Sequence, residues 1–143
     1  MAIVELEPAL SDDHEEVRVI RGPRSGLTMA VAVHRTVNGR SLGGCRMWAY
    51  ATDDDAVADV ERLARSMTFK AAAAGLGLGG GKGVIALPPA APPDDGRRRD
   101  ALHDFAELVE SFGGRYVTAQ DVGISLEDMA YVSRFTEHVA GHP

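Results

Sequence analysis

Lys70 and Lys82 are the only lysines in a chain that carries thirteen arginines. They stand twelve positions apart in one apolar, glycine-rich stretch, Met67-Thr-Phe-Lys-Ala-Ala-Ala-Ala-Gly-Leu-Gly-Leu-Gly-Gly-Gly-Lys-Gly-Val-Ile-Ala. A guanidinium stays protonated in proteins, whereas an amine taken out of water can give up its proton and act as a base. Lysine placed only here therefore points to amine chemistry, against the competing account of chance in an arginine-rich composition. Met67 and Lys70 lie one helical turn apart and share a face. That pairs an apolar contact with an ammonium, the two features needed to hold an amino or 2-oxo acid by side chain and carboxylate. The competing account of Lys70 is a surface lysine whose stem lies along apolar neighbours. Asp121, in Tyr116-Val-Thr-Ala-Gln-Asp-Val-Gly123, falls at the C-terminal end of a short strand, where functional groups gather in α/β sheets; a helix or turn cap is the alternative. Gly43 and Gly44, in Ser41-Leu-Gly-Gly-Cys-Arg-Met-Trp48, offer backbone that can touch a ligand, or else mark a bulge.

The glycine run from Gly75 to Gly83 resembles two phosphate motifs and fits neither. Gly75, Gly77 and Gly80 have dinucleotide-fingerprint spacing, but that fingerprint needs a strand before it and a helix after it. Here a helix precedes and a strand follows. A P-loop fails because Leu76 stands at its first glycine and Gly83 replaces the Ser/Thr that holds magnesium. The remaining reading is a backbone that passes close to a small ligand, with Lys82 projecting into a glycine-walled pocket.

The elements that must carry these residues read as follows. Strands are predicted at Val17–Ile20, Leu27–His34, Val84–Leu87 and Tyr116–Thr118, with a tight turn at Asn38-Gly39. Thr52-Asp-Asp-Asp55 reads as a capping box, and Ala56, Val57, Val60, Leu63, Ala64, Met67 and Ala71 recur at helical spacing up to Gly75. Residues 11–16 read as an acidic turn, and 88–99 as a flexible Pro/Asp/Gly/Arg loop. A second helix spans Ala101–Phe112, stopped by Gly113-Gly114, and Ser125 starts a third. Helices between strands predict one α/β domain, with a mixed, largely parallel sheet flanked by helices.

The net charge of −6 excludes a basic nucleic-acid face, and Arg97-Arg98-Arg99 reads as a solvated turn. Cys45 is the sole cysteine, so neither disulfides nor a thiolate metal cluster is expected. The five histidines show no metal-ligand spacing. No stretch approaches the length of a membrane span, and the acidic N-terminus is unlike a signal peptide. The expectation is a cytoplasmic protein without metal.

Taken in order, Leu42-Gly-Gly-Cys-Arg-Met-Trp48, Leu63-Ala-Arg-Ser-Met-Thr-Phe-Lys70, Ala74-Gly-Leu-Gly-Leu-Gly-Gly-Gly-Lys82 and Gly114-Arg-Tyr-Val-Thr-Ala-Gln-Asp-Val-Gly123 resemble the glutamate/leucine/phenylalanine/valine dehydrogenase family. The first is similar to the form in its leucine, valine and phenylalanine branch. The resemblance runs from about Gly26 to the end of the chain. It implies an NAD-dependent dehydrogenase that reversibly deaminates an apolar L-amino acid to its 2-oxo acid. On the same resemblance Lys70 binds the substrate carboxylate, Lys82 activates water and polarises the carbonyl, and Asp121 exchanges protons with the amino group. Gly43 and Gly44 supply backbone contacts, and Met67 lines the side-chain pocket. The family's NAD-binding Rossmann domain follows this one, and no strand–GxGxxG–helix unit occurs here. Residues 1–143 are thus expected to be the substrate-binding and dimerisation domain, inactive alone, with NAD held mainly by a domain absent from this chain. The alternative is a stand-alone, non-catalytic module that binds an amino or oxo acid or serves oligomerisation. A homo-oligomer, a dimer or larger, is expected, with the strands at 17–20 and 27–33 pairing across a two-fold axis.

Overall fold

Six strands and three helices are seen in the computed structural model, which describes residues 4–6, 13–90 and 92–141. They run β1 (Val4–Leu6), β2 (Glu16–Arg21), β3 (Thr28–Val33), β4 (Ser41–Ala49), α1 (Asp53–Ala74), β5 (Gly79–Leu87), α2 (Asp95–Glu110), β6 (Tyr116–Gln120) and α3 (Leu126–Val132). One sheet holds all six strands, in the order β1-β2-β3-β5-β4-β6. The sheet is mixed, as expected. Its parallel part is β5-β4-β6, and the three ladders from β1 to β5 are antiparallel.

Both faces of the sheet are covered at its centre, and β3 shows how. Met29, Val31 and Val33 point into a core shared with Leu102, Phe105 and Leu108 of α2 and Met129 of α3. The alternating Ala30 and Ala32 point into a second core with Ala56, Val57, Val60 and Ala64 of α1. Every residue of β3 is buried as a result. Small residues on the α1 side let that helix lie close to the strands.

The helix boundaries follow their caps. Thr52 accepts from the Asp55 backbone N–H, and Gly75 closes α1 in the left-handed conformation, φ 65°. Ser125 and Asp128 form the reciprocal capping box of α3. The tight turn at Asn38-Gly39 is present, with both residues at positive φ and Val37 bridged to Arg40.

Four elements differ from the sequence reading. α2 starts at Asp95, inside the stretch that reads as loop, because the Asp94 side chain accepts from the Arg97 N–H and opens the helix there. β4 reads in the sequence only as a glycine pair, since Gly43 and Gly44 obscure its alternation. β1 does not read as a strand. β5 begins at Gly79 rather than Val84, so the glycine run is largely a strand. β3 is paired on both sides, by β2 and β5, and so has no edge to offer across a two-fold axis, while β2 is covered by β1 over Val19–Arg21. The sheet edges are β1 and β6, and the latter is bridged to Val139.

The β2–β3 turn is fastened to α2 by a carboxylate with no solvent exposure. Asp104 accepts from the backbone N–H groups of Arg24 and Ser25, from Ser25 Oγ at 2.8 Å and from Arg24 Nη1 at 3.0 Å. Arg24 also reaches Glu107 at 2.5 Å, and these two carboxylates raise the guanidinium pKa. Removing an acceptor from such a buried network leaves donors unsatisfied. Asp104→Ala is expected to lower stability by about 3 kcal/mol, measured by urea unfolding; a loss below about 1 kcal/mol would show that the network is energetically idle.

Candidate active site

Lys82 lies near the middle of β5 and is 5% exposed. Its neighbour across the sheet on β3 is Ala32, whose small side chain leaves room beside it. Gly80 and Val84 share its face: a Cβ on Gly80 would meet Ala64 and Thr68 of α1, and Val84 packs in the α1 core. Lys82 therefore extends on the α1 side of the sheet. α1 covers β5 and β3 but little of β4. Lys82 Nζ reaches away from the covered strands to Asp121 Oδ2, at 3.0 Å, just past the end of β6.

Asp121 is held from a second side. Arg46 of β4 donates from Nε to the same Oδ2, also at 3.0 Å. The carboxylate thus sits between two cations, with a quarter of its side chain exposed. Burial would raise its pKa; Lys82, then Arg46, outweigh burial and hold it below the ordinary carboxylate value. Arg46 Nη1 lies 3.6 Å from Asp59 on α1. Asp59 in turn takes hydrogen bonds from Tyr50 Oη and from Arg62, the latter at 2.6 Å. Burial and the Asp59 carboxylate push the Tyr50 phenol up, so it remains a donor. Arg46, Trp48, Tyr50, Asp55, Asp59 and Val122 line a groove of about 510 Å³ next to this chain of charges.

The glycines are explained first by packing. Along the β4–β5 ladder Leu42 pairs with Gly80 and Cys45 with Gly83. In between, a Cβ on Gly43 would overlap the Gly81 carbonyl oxygen, and one on Gly44 would lie 2.6 Å from the Gln120 oxygen and 2.8 Å from Asp121 Cβ. Gly43 also uses its carbonyl internally, as acceptor for Tyr116 Oη at 2.6 Å. On the opposite face a Cβ on Gly83 would collide with Phe105. The run does not form a dinucleotide loop or a P-loop: Gly75 caps α1, Gly77 lies in the turn after it, and Gly79–Gly83 lie in β5, where atoms of neighbouring elements fill the space beside the backbone. Among the described residues the β6–α3 connection also turns on a glycine, Gly123 at φ 81°, but without the GxGxxG spacing of a dinucleotide loop.

Of the site residues expected from the sequence, Lys82, Asp121 and Gly44 are brought together, with Gly43 adjacent in the strand. Lys70 is exposed near the end of α1 and Met67 is half-buried one turn before it. Neither shares a hydrogen bond or ion pair with the Lys82–Asp121 pair. Sequence reasoning misses Arg46, Asp59 and Tyr50 as site residues. Arg46 stands inside a recognisable motif; Asp59 lies on a helix face whose other charges are solvated, and only the fold aims it at the sheet. His34, which carries no metal-ligand spacing, is structural. It is buried, held between Asp13 Oδ2 at 2.9 Å and Thr68 Oγ1 at 2.8 Å, and Thr68 receives the Gly80 N–H.

A buried amine paired to a carboxylate on a sheet face that α1 leaves uncovered is chemically able to polarise a small molecule and exchange protons with it. Comparison with known sequences defines the class further. The chain belongs to the family described as Glu/Leu/Phe/Val dehydrogenase, dimerisation domain, which matches residues 1–138. It is 41% identical over 129 residues to leucine dehydrogenase of Bacillus subtilis, covering 90% of this chain and 34% of that protein. It is 46% identical over 121 residues to valine dehydrogenase of Streptomyces virginiae, covering 85% of this chain and 33% of that one. The crystal structure of L-tryptophan dehydrogenase from Nostoc punctiforme superposes with a TM-score of 0.80 at 34% identity, covering 90% of this chain and 37% of that chain. The chain thus spans about a third of the length of these relatives. Among the described residues no helix is long and apolar enough to cross a membrane.

The depressed Asp121 pKa gives a pH signature of defined sign. Such a group stabilises the fold fully above its unfolded value, near 3.8, and the contribution disappears as pH falls through the lower folded value. Asp121→Asn is expected to be less stable than wild type at neutral pH, with the gap closing under acid as the wild-type carboxyl takes up its proton. Unfolding midpoints of the two proteins that stay equally far apart down to the acid limit would rule out the ion pairs as the source.

Proposed function

We propose that this chain is the substrate-binding and oligomerisation part of an NAD-dependent dehydrogenase that reversibly deaminates an apolar L-amino acid to its 2-oxo acid. The observation that carries this is the 3.0 Å contact between Lys82 Nζ and Asp121 Oδ2 on a face that α1 leaves uncovered. The relatives are named as leucine and valine dehydrogenases, and the tryptophan enzyme adds a third apolar side chain.

In this reading Lys82 donates to the substrate's carbonyl oxygen in the amination direction, drawing electron density from the carbon under attack, and in the deamination direction its free amine takes a proton from the water that adds to that carbon. Asp121 exchanges a proton with the substrate nitrogen through Oδ1, since Oδ2 is taken by Lys82 and Arg46. Lys70, exposed at the end of α1, meets the substrate carboxylate; Met67 lines the apolar side-chain pocket. Gly43 and Gly44 supply backbone contacts to the substrate. NAD is assigned mainly to a part of the enzyme outside these 143 residues, in keeping with relatives about three times as long. The enzyme is placed in the cytoplasm, with no metal.

Two measurements test the proposal. The chain should bind 2-oxoisocaproate in a calorimetric titration, and Lys82→Met should weaken that binding about tenfold or more. A wild-type chain that binds no 2-oxo acid would leave only an oligomerisation role. Light scattering at micromolar concentration should give the mass of a dimer or larger; a strictly monomeric mass contradicts the assembly part.

A further inference from the structure

We propose that Arg46 is a positioning residue for Asp121: by sharing Oδ2 with Lys82 it fixes the carboxylate's rotation and leaves Oδ1 as the single oxygen free to exchange a proton. Asp59 anchors Arg46 from α1. The inference deepens the function proposed above and rests on it for the meaning of the proton transfer, but the geometry stands by itself.

A carboxylate held by one cation can rotate and offer either oxygen. Here two donors converge on one oxygen from different strands, Lys82 from β5 and Arg46 from β4, each at 3.0 Å. Among the described residues no hydrogen bond goes to Oδ1. The guanidinium is also drawn toward α1, where its Nη1 lies 3.6 Å from the Asp59 Oδ2 carboxylate oxygen. Tyr50 and Arg62 hold Asp59 in place. The relay Tyr50–Asp59–Arg46–Asp121 therefore runs from the β4–α1 junction to the candidate proton-transfer oxygen. The planar fork of arginine suits this, since Nε and Nη1 address two carboxylates at once. A lysine at position 46 would offer a point charge without that bridge.

The groups that act on the Asp121 carboxyl are Lys82 and Arg46. Cys45 and Tyr116, on the opposite face, are kept protonated by burial. Asp59 acts on Asp121 through Arg46.

The test is carboxyl carbon NMR of the whole chain with Asp121 assigned. Arg46→Met should raise the Asp121 titration midpoint by about one pH unit or more. Arg46→Lys should recover less than half of that. An unchanged midpoint in Arg46→Met, or full recovery in Arg46→Lys, overturns the proposal; the second would mean that charge alone matters. Should Arg46→Met fail to fold, Asp59→Asn supplies an independent readout. Exchange of the Arg46 Nε–H with solvent should then speed up several-fold, and unchanged exchange overturns the proposal equally. These readouts need no substrate. A shifted Asp121 in a chain that binds no 2-oxo acid upholds the positioning role while the substrate-site reading fails. An unchanged Asp121 in a chain that does bind one gives the reverse.

Discussion

A strand built largely of glycine can run through the middle of a sheet only if its neighbours fill both faces. β5 meets that condition. Gly80 is closed off by α1, Gly81 by the Tyr116 ring and Gly83 by Phe105 of α2. Glycine in a strand is otherwise costly, since it loses more backbone freedom than any other residue and contributes no side-chain contact. The gain is proximity: two helix layers and two flanking strands close in on a backbone without bulk. In that setting Lys82 is the only long side chain between Gly79 and Gly83. Its stem fills the gap beside Ala32 and its ammonium emerges beside Asp121. The placement of the amine is thus a packing consequence of the glycines around it.

Electrostatics then decides how that amine can be kept. A lone ammonium with so little exposure would be expensive, because burial penalises the charged form. Asp121 compensates it, and Arg46 adds a second cation to the same carboxylate oxygen. Three ionised groups would carry excess positive charge, and Asp59 restores the balance from the helix side. The result is alternating charge, Lys82–Asp121–Arg46–Asp59–Arg62, that begins nearly buried on β5 and ends in solvent on α1. Only Arg62, at the outer end, lies largely in water, so the four groups before it depend on one another for compensation.

Much of this architecture is legible in the sequence where one periodicity dominates. α1 is legible because Thr52 caps it, Gly75 ends it, and small apolar residues recur every three or four positions between them. β2, β3 and β6 are legible as runs of branched and aromatic residues. β4 and the first half of β5 are not, because glycine erases the alternation on which strand reading rests. Those glycines invite a ligand-contact reading, whereas their nearest neighbours are other parts of the same chain. The start of α2 is hidden for a different reason: Pro, Asp, Gly and Arg signal a loop, and the single Asp94 cap outweighs them.

The site is legible in the same uneven way. Lys82 and Asp121 stand out by type and position, and the fold joins them. Lys70 and Met67 are linked by helical spacing, which holds, yet spacing along a helix says nothing about what lies opposite. Arg46 and Asp59 are thirteen positions apart and meet only because β4 runs into α1 and that helix folds back over the sheet. No local pattern encodes this meeting. It depends on the helix covering β5 and β3 while leaving most of β4 open, so that Asp59 looks across at Arg46 instead of into the core. The same partial coverage leaves one side of Asp121 open. A longer reach of α1 toward β6 would bury the carboxylate outright and remove the path by which a substrate nitrogen could approach it.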